Sequence, residues 1–232
     1  MLLAVAAALP GEVAAHFALN VNIRVVHVQH LDDGLRVLLR LPAPYVLASR
    51  VGALRDDGTA EPAPYTYNRV EGNRVEGERL AHYLDLAAVR ASPLGLGALV
   101  ASGHRIEAGN VSLSAQVEAT RVYRATRQPP FATLEEAERA FGSPQDPDKQ
   151  AGNPYVGDAV IDVILRYEAS GPVPDYRFFG ELDPGLEGQD RTANLLLDYW
   201  PGETLVFRER GLLADPVEVS RSVLAAAYTF VR

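Results

Sequence analysis

The chain has 232 residues, 47% of them hydrophobic and 22% charged, the proportions of a folded protein with room for one large domain or two small ones. Its 22 Lys and Arg stand against 30 Asp and Glu, a net charge of -8 without a clustered basic face, which argues against nucleic acid as a partner. The absence of cysteine excludes thiolate metal sites, disulfides and a thiol nucleophile, and no window approaches the roughly 18 consecutive apolar residues of a membrane-spanning helix.

Leu2 to Leu9 form a short apolar run, and Val13-Ala14-Ala15 then has the small-residue spacing that signal peptidase accepts. Residues 1–15 therefore read as a signal peptide and His16 as the mature N-terminus, the competing reading being an ordinary buried strand or helix. Export without cysteines suits the periplasm or outer face of a bacterial membrane.

From Val21 the apolar residues alternate through Ile23 and Val25 and then change parity to Val26 and Val28, which predicts a strand with a bulge. Asp32-Asp33-Gly34 supplies a turn, and Leu35, Val37, Leu39 and Leu41 form the partner strand of a hairpin. Residues 42–65 read as loop with a helical turn near Tyr45 to Ser49, followed by a polar strand pair around Thr66 to Glu71 and Arg74 to Arg79. Ser92-Pro93 opens a helix through Ser102, with Gly103 as a left-handed stop and Gly95 and Gly97 weakening it.

Val111 to Val122 resumes period-two alternation. Thr133 to Glu136 is a capping box whose helix should stop at Gly142, and Ser143 to Pro154 reads as a loop standing out from the body. Strands recur at Val156 to Glu168, Tyr176 to Leu182, Ala193 to Trp200 and Thr204 to Arg210, separated by Gly, Pro and Asp turns. Asp215-Pro216 with Glu218 has the form of a helix start, and Val219, Val223, Ala226, Ala227 and Phe230 follow a helical period.

The expected fold is mainly β: an antiparallel β-sandwich, Ig-like or related, with two or three short helices. The domain spans 16–214 with a loop and helix insertion near 130–154, and residues 215–232 form a helix leading towards a membrane segment.

This order of features resembles the exported N-terminal part of the HupE/UreJ-type family of bacterial membrane proteins, the hydrogenase and urease accessory type. The matching residues are Ala15-His16, the Asp32-Asp33-Gly34 turn, and Ala226-Ala227-Tyr228-Thr229-Phe230-Val231-Arg232, the last being the most specific. The resemblance implies a non-enzymatic extracytoplasmic domain whose partner is its own C-terminal membrane domain, assisting the uptake of nickel or another metal, or partner recognition. Rivals from other classes are a secreted hydrolase with an unrecognised site and a structural or adhesion module.

A mature His16 would offer an amino group and an imidazole from one residue, a chelate suited to Cu(II) or Ni(II), and His27 or His30 could complete a metal site. His27 and His30 are three apart on a strand, so they point to opposite faces unless a bulge realigns them, and the competing reading makes them solvent-facing. His82 and His104 read as hydrogen-bonded surface groups. Asp158 and Asp162 fall on the outer face of one strand, about 13 Å apart and too far for paired glycosidase carboxylates. Most of the late aromatics Tyr155, Tyr167, Tyr176, Phe178, Phe179, Tyr199, Trp200 and Phe207 are expected to fill the core rather than form a carbohydrate or peptide platform. No nucleophile elbow, P-loop, dinucleotide fingerprint or His-Glu-x-x-His is present, so no cofactor is specified.

Overall fold

The computed structural model describes residues 21–73, 77–142 and 152–221, of which 47% are strand and 22% helix. The expected hairpin is present as β1 (Ile23–Leu31) and β2 (Gly34–Pro42), closed by Gly34 at φ +138°, where a Cβ would run into the Tyr167 carbonyl. The expected bulge in β1 is not. Its register to β2 runs unbroken from Val25↔Arg40 to Leu31↔Gly34, and its other edge pairs in parallel with β10 (Ala193–Trp200) from Ile23↔Ala193 to Gln29↔Tyr199. The parity change has a different cause: Val26 and Val28 pack into one hydrophobic cluster and Val25 into another, because the strand is covered on both faces.

A six-stranded sheet has the order β11 (Glu203–Arg210), β10, β1, β2, β8 (Ala159–Glu168), β7 (Ala115–Arg124), antiparallel throughout except for β1 against β10. A four-stranded antiparallel sheet has the order β12 (Leu213–Val219), β9 (Tyr176–Gly180), β5 (His104–Ala108), β6 (Val111–Leu113). Val37, Leu39, Ile161 and Val163 of the large sheet share one core with Ile106, Phe178 and Val217 of the small one, so the fold is a β-sandwich with short helices.

Helices cover what the second sheet leaves open. α1 (Ala43–Leu47) and α3 (Pro93–Ala101) contribute Tyr45, Leu47, Leu96 and Val100 to the main core, and the short α2 (Leu86–Ala91), capped by the Asp85 carboxylate, precedes α3. Gly95 and Gly97 do not loosen α3 so much as let it lie close, since a Cβ at either would collide with Tyr65 or with Val117 and Thr120. Gly103 is not a left-handed stop; its missing side chain makes room for Leu182. β3 (Thr66–Asn73) and β4 (Gly77–Leu84) form a separate hairpin.

The capping box forms in full. The Glu136 amide donates to Thr133 Oγ1 at 3.2 Å, and the Glu136 carboxylate accepts from the amides of Thr133 at 3.3 Å and Ala132 at 2.7 Å. The helix so started, α4 (Leu134–Gly142), packs with Phe131 on the outer face of the large sheet, over Val25, Leu38 and Ile164. The loop expected to stand out beyond it falls largely on residues 143–151, outside the described ones.

Two further expectations change. The single strand over 111–122 is two, because the chain passes from the small sheet in β6 to the large one in β7. Asp215 to Val219 are strand, not helix: Val217 pairs with Phe178 and Val219 with Tyr176, and Pro216, which has no amide to donate, sits on an edge strand where the register breaks. Residues 222–232, where the helix was expected to continue, lie outside the described ones. Asp162 does lie on the outer face of the large sheet, as expected, but that face is covered, so it is buried and held by two 2.7 Å bonds from Arg40, which also donates to the Pro129 carbonyl at 2.7 Å. Among the described residues no helix is long and apolar enough to cross a membrane.

Candidate functional site

The inward face of β1 runs Arg24, Val26, Val28, His30, and beside it the inward face of β10 runs Asn194, Leu196, Asp198, Trp200. Both therefore carry polar groups into the core at their ends, against the general exclusion of charged side chains from protein interiors. Parallel pairing sets Val28 beside Asp198, which puts His30 within reach of that carboxylate.

Asp198 is fully buried and is the centre of the cluster. Its Oδ2 accepts from His30 Nε2 at 2.7 Å and from the Tyr176 hydroxyl at 2.7 Å, and its Oδ1 is paired with the Arg221 guanidinium. Tyr176 opens β9 in the opposite sheet and Arg221 follows β12, so the one carboxylate joins both sheets of the sandwich. Arg221 is held again by Glu203 Oε2 at 2.7 Å from its Nη1, and its backbone amide donates to Asp175 Oδ1 at 2.7 Å. The Trp200 ring stands edge-on to His30, with centroids 4.7 Å apart, and lies 5.5 Å from the Arg221 guanidinium carbon.

Burial by itself pushes the Asp198 carboxyl up, but the hydrogen bonds from His30, Tyr176 and Arg221 and the charge of His30 outweigh it and hold it below the ordinary aspartate value. Burial and the neighbouring carboxylate push the Tyr176 hydroxyl well above its ordinary value. The cluster thus pairs a stabilised anion with a tyrosine hydroxyl that stays protonated. His30 Nδ1 is buried without a hydrogen-bond partner, so this Asp–His pair orients no hydroxyl nucleophile among the described residues. Chemically the arrangement is a clamp, with Arg221 gripped by Asp198, Glu203 and Asp175 just after the last strand.

His27 and His30 do lie on opposite faces, as strand geometry requires, and do not join one site. Neither is solvent-facing. His27 is on the α4 side, where Nε2 donates to the Phe131 carbonyl at 3.0 Å and Nδ1 accepts from the Tyr199 hydroxyl at 2.9 Å. Burial and then the Arg40 charge lower its pKa, so it is a neutral core group. His82 and His104 are buried rather than superficial: His82 Nδ1 donates to Asn68 Oδ1 at 2.7 Å and His104 Nδ1 to the Val100 carbonyl at 2.8 Å. His16, the first ligand of the expected metal chelate, lies outside the described residues. Among the described residues no group of three or more His, Asp or Glu side chains is arranged to hold a metal ion. Of the late aromatics, Tyr167, Tyr176 and Phe178 are core, whereas Tyr155, Phe179, Tyr199, Trp200 and Phe207 are half-buried.

The sequence reading missed Asp198, Tyr176 and Arg221. One signal was available for Asp198, an acid at an inward position directly after Leu195-Leu196-Leu197; nothing local marks the other two as its partners. Comparison of the chain with protein-family models, with curated proteins and with solved structures finds no match.

Proposed function

We propose that the chain is a non-enzymatic extracytoplasmic domain of a HupE/UreJ-like bacterial membrane protein, facing the periplasm or the cell exterior. There it assists the uptake of nickel or another divalent metal by recognising a partner or handing over the ion. The observation that carries this reading is the clamp on Arg221. The buried carboxylate of Asp198 ties both sheets to the chain five residues ahead of Ala226, where the phrase resembling the family's entry into its first membrane helix begins. A binding domain attached there would be held in a defined orientation at its point of exit. The Asp198 carboxylate is already occupied by His30, Tyr176 and Arg221, which favours a structural or recognition role over turnover. Metal contact, on this reading, belongs to His16 with its free amino group, a chelate suited to Ni(II) or Cu(II).

The test uses the complete reading frame in a bacterial host. Antibody against the domain should find it in the membrane fraction and protease should reach it in spheroplasts, and cellular nickel accumulation should fall when codons 21–221 are deleted in frame. Recovery in the cytosol, or nickel accumulation indifferent to the deletion, would reject the proposal.

A further inference from the structure

β1 also carries an inward arginine, Arg24, six residues and about 20 Å along the strand from His30. Arg24 is fully buried between the sheets, and none of its three guanidinium nitrogens has a hydrogen-bond partner. The side chain crosses the sandwich to lie on Gly180 of β9, where a Cβ would stand 2.5 Å from Nη1, and its guanidinium carbon is 4.8 Å from the centre of the Tyr45 ring. Burial lowers its pKa to about 10, so at neutral pH it remains a cation. A buried cation with an unused planar fork is costly, and carboxylates and their analogues are the groups that match that fork with two parallel bonds.

Two buried acceptors flank it. Asn194, the register partner of Arg24, donates its amide to the Gly211 carbonyl at 2.8 Å and leaves Oδ1 without a partner. His104, the register partner of Gly180, donates Nδ1–H to Val100 and leaves the Nε2 lone pair without a partner. Burial first, and then the Arg24 charge, bring its pKa to about 3, so the ring is neutral and Nε2 can only accept. The site thus offers an anion-matching donor fork beside two groups that need a donor. Water answers the second need but leaves the charge uncompensated.

We propose that Arg24, Asn194 and His104 form a buried binding site for a compact planar oxyanion of the carboxylate class. Bicarbonate is the best-matched member: two of its oxygens accept from the guanidinium, and its hydroxyl donates to Asn194 Oδ1 or His104 Nε2. The connection from β9 to β10 borders the site, bonded at one end from the Glu181 amide to the Gly103 carbonyl and at the other from the Tyr45 hydroxyl to Thr192 Oγ1, and it must open for the anion to exchange. The site stands apart from the Asp198 cluster and does not rest on the proposed membrane function.

The test titrates the full chain with sodium bicarbonate, sodium formate and sodium chloride at equal ionic strength, by calorimetry and thermal melting, and then determines crystal structures in the same salts. Saturable binding of bicarbonate, weaker binding of formate, and a planar anion on Arg24 in the electron density are expected. Arg24→Met should abolish binding, and Gly180→Ala, which crowds the fork, should weaken it at least about tenfold. If either variant fails to fold, the unaltered chain still decides. Water alone on the guanidinium, a side-chain carboxylate of this same chain in its place, or an equal response to chloride overturns the proposal.

Discussion

His30 and Asp198 are 168 positions apart in the chain and 2.7 Å apart in the fold, an imidazole N–H donating to a carboxylate that is sealed between two sheets. The contact exists because β1 and β10 run in parallel, side by side, and it makes Asp198 the one acceptor on which His30, Tyr176 and Arg221 converge. Removing that acceptor should therefore cost far more than removing a surface ion pair.

Asp198→Ala leaves the Arg221 guanidinium, which is 8% exposed, without its buried partner, and the expected loss of stability is about 3–5 kcal/mol in a denaturant titration. Trp200 is the chain's one tryptophan and touches both His30 and Arg221, so its emission should shift in the same variant before global unfolding. An unaltered emission spectrum with a loss below about 1 kcal/mol would show that the cluster is not a clamp.

Stability should fall on acidification. His104 has a folded pKa of about 3, below its ordinary 6.5, so the unfolded chain binds more protons between those values and stability drops by about 1.4 kcal/mol per pH unit as pH falls through that window. His27 is shifted in the same direction. The depressed Asp198 adds stability that is present above the unfolded aspartate value and is lost as pH falls through its lower folded value, at the acid end of the same range. Between about pH 6.5 and 5, His104 alone should account for about 2 kcal/mol, and His104→Gln should flatten the slope in urea titrations.

Arg40 and Asp162 form a bidentate pair under α4, with Phe131 4.2 Å from the guanidinium carbon. Arg40→Met should destabilise by about 3–5 kcal/mol because Asp162 is left charged and buried, whereas the double change Arg40→Met with Asp162→Leu should recover most of the loss. A double variant no better than the single one would mean that the pair's geometry, not its charge balance, holds the outer layer.

Thr133→Ala should cost about 1 kcal/mol by freeing the Glu136 amide, and Glu136→Ala should add less on that background than alone, since each serves the other's end of the capping box. A double-mutant cycle in guanidinium chloride measures the coupling.

Much of the fold was legible locally. The Asp32-Asp33-Gly34 hairpin, the α4 start at Thr133 and the β10 and β11 strands follow from turn chemistry, capping and period-two alternation, all of which act over a few residues. The misreadings have the same local origin. Asp215-Pro216 with Glu218 satisfies a helix-start pattern, yet the free edge of β9 and the core positions of Val217 and Val219 were stronger than the pattern. The parity change in β1 looked like a bulge because alternation assumes one dry face, and here α4 makes the second face dry as well.

What the sequence by itself determined is therefore the β class, the positions of most strands and the helix start at Thr133, because these depend on neighbours in the chain. Only the tertiary structure decided that His27 and His30 serve separate faces, that Asp198 gathers Tyr176 and Arg221, and that Arg24 sits without a hydrogen-bond partner against Gly180. The reason is that side-chain partnerships across a sandwich are set by which strands become neighbours, and the pairing of β1 with β10 joins residues some 170 positions apart through a register that no local pattern encodes.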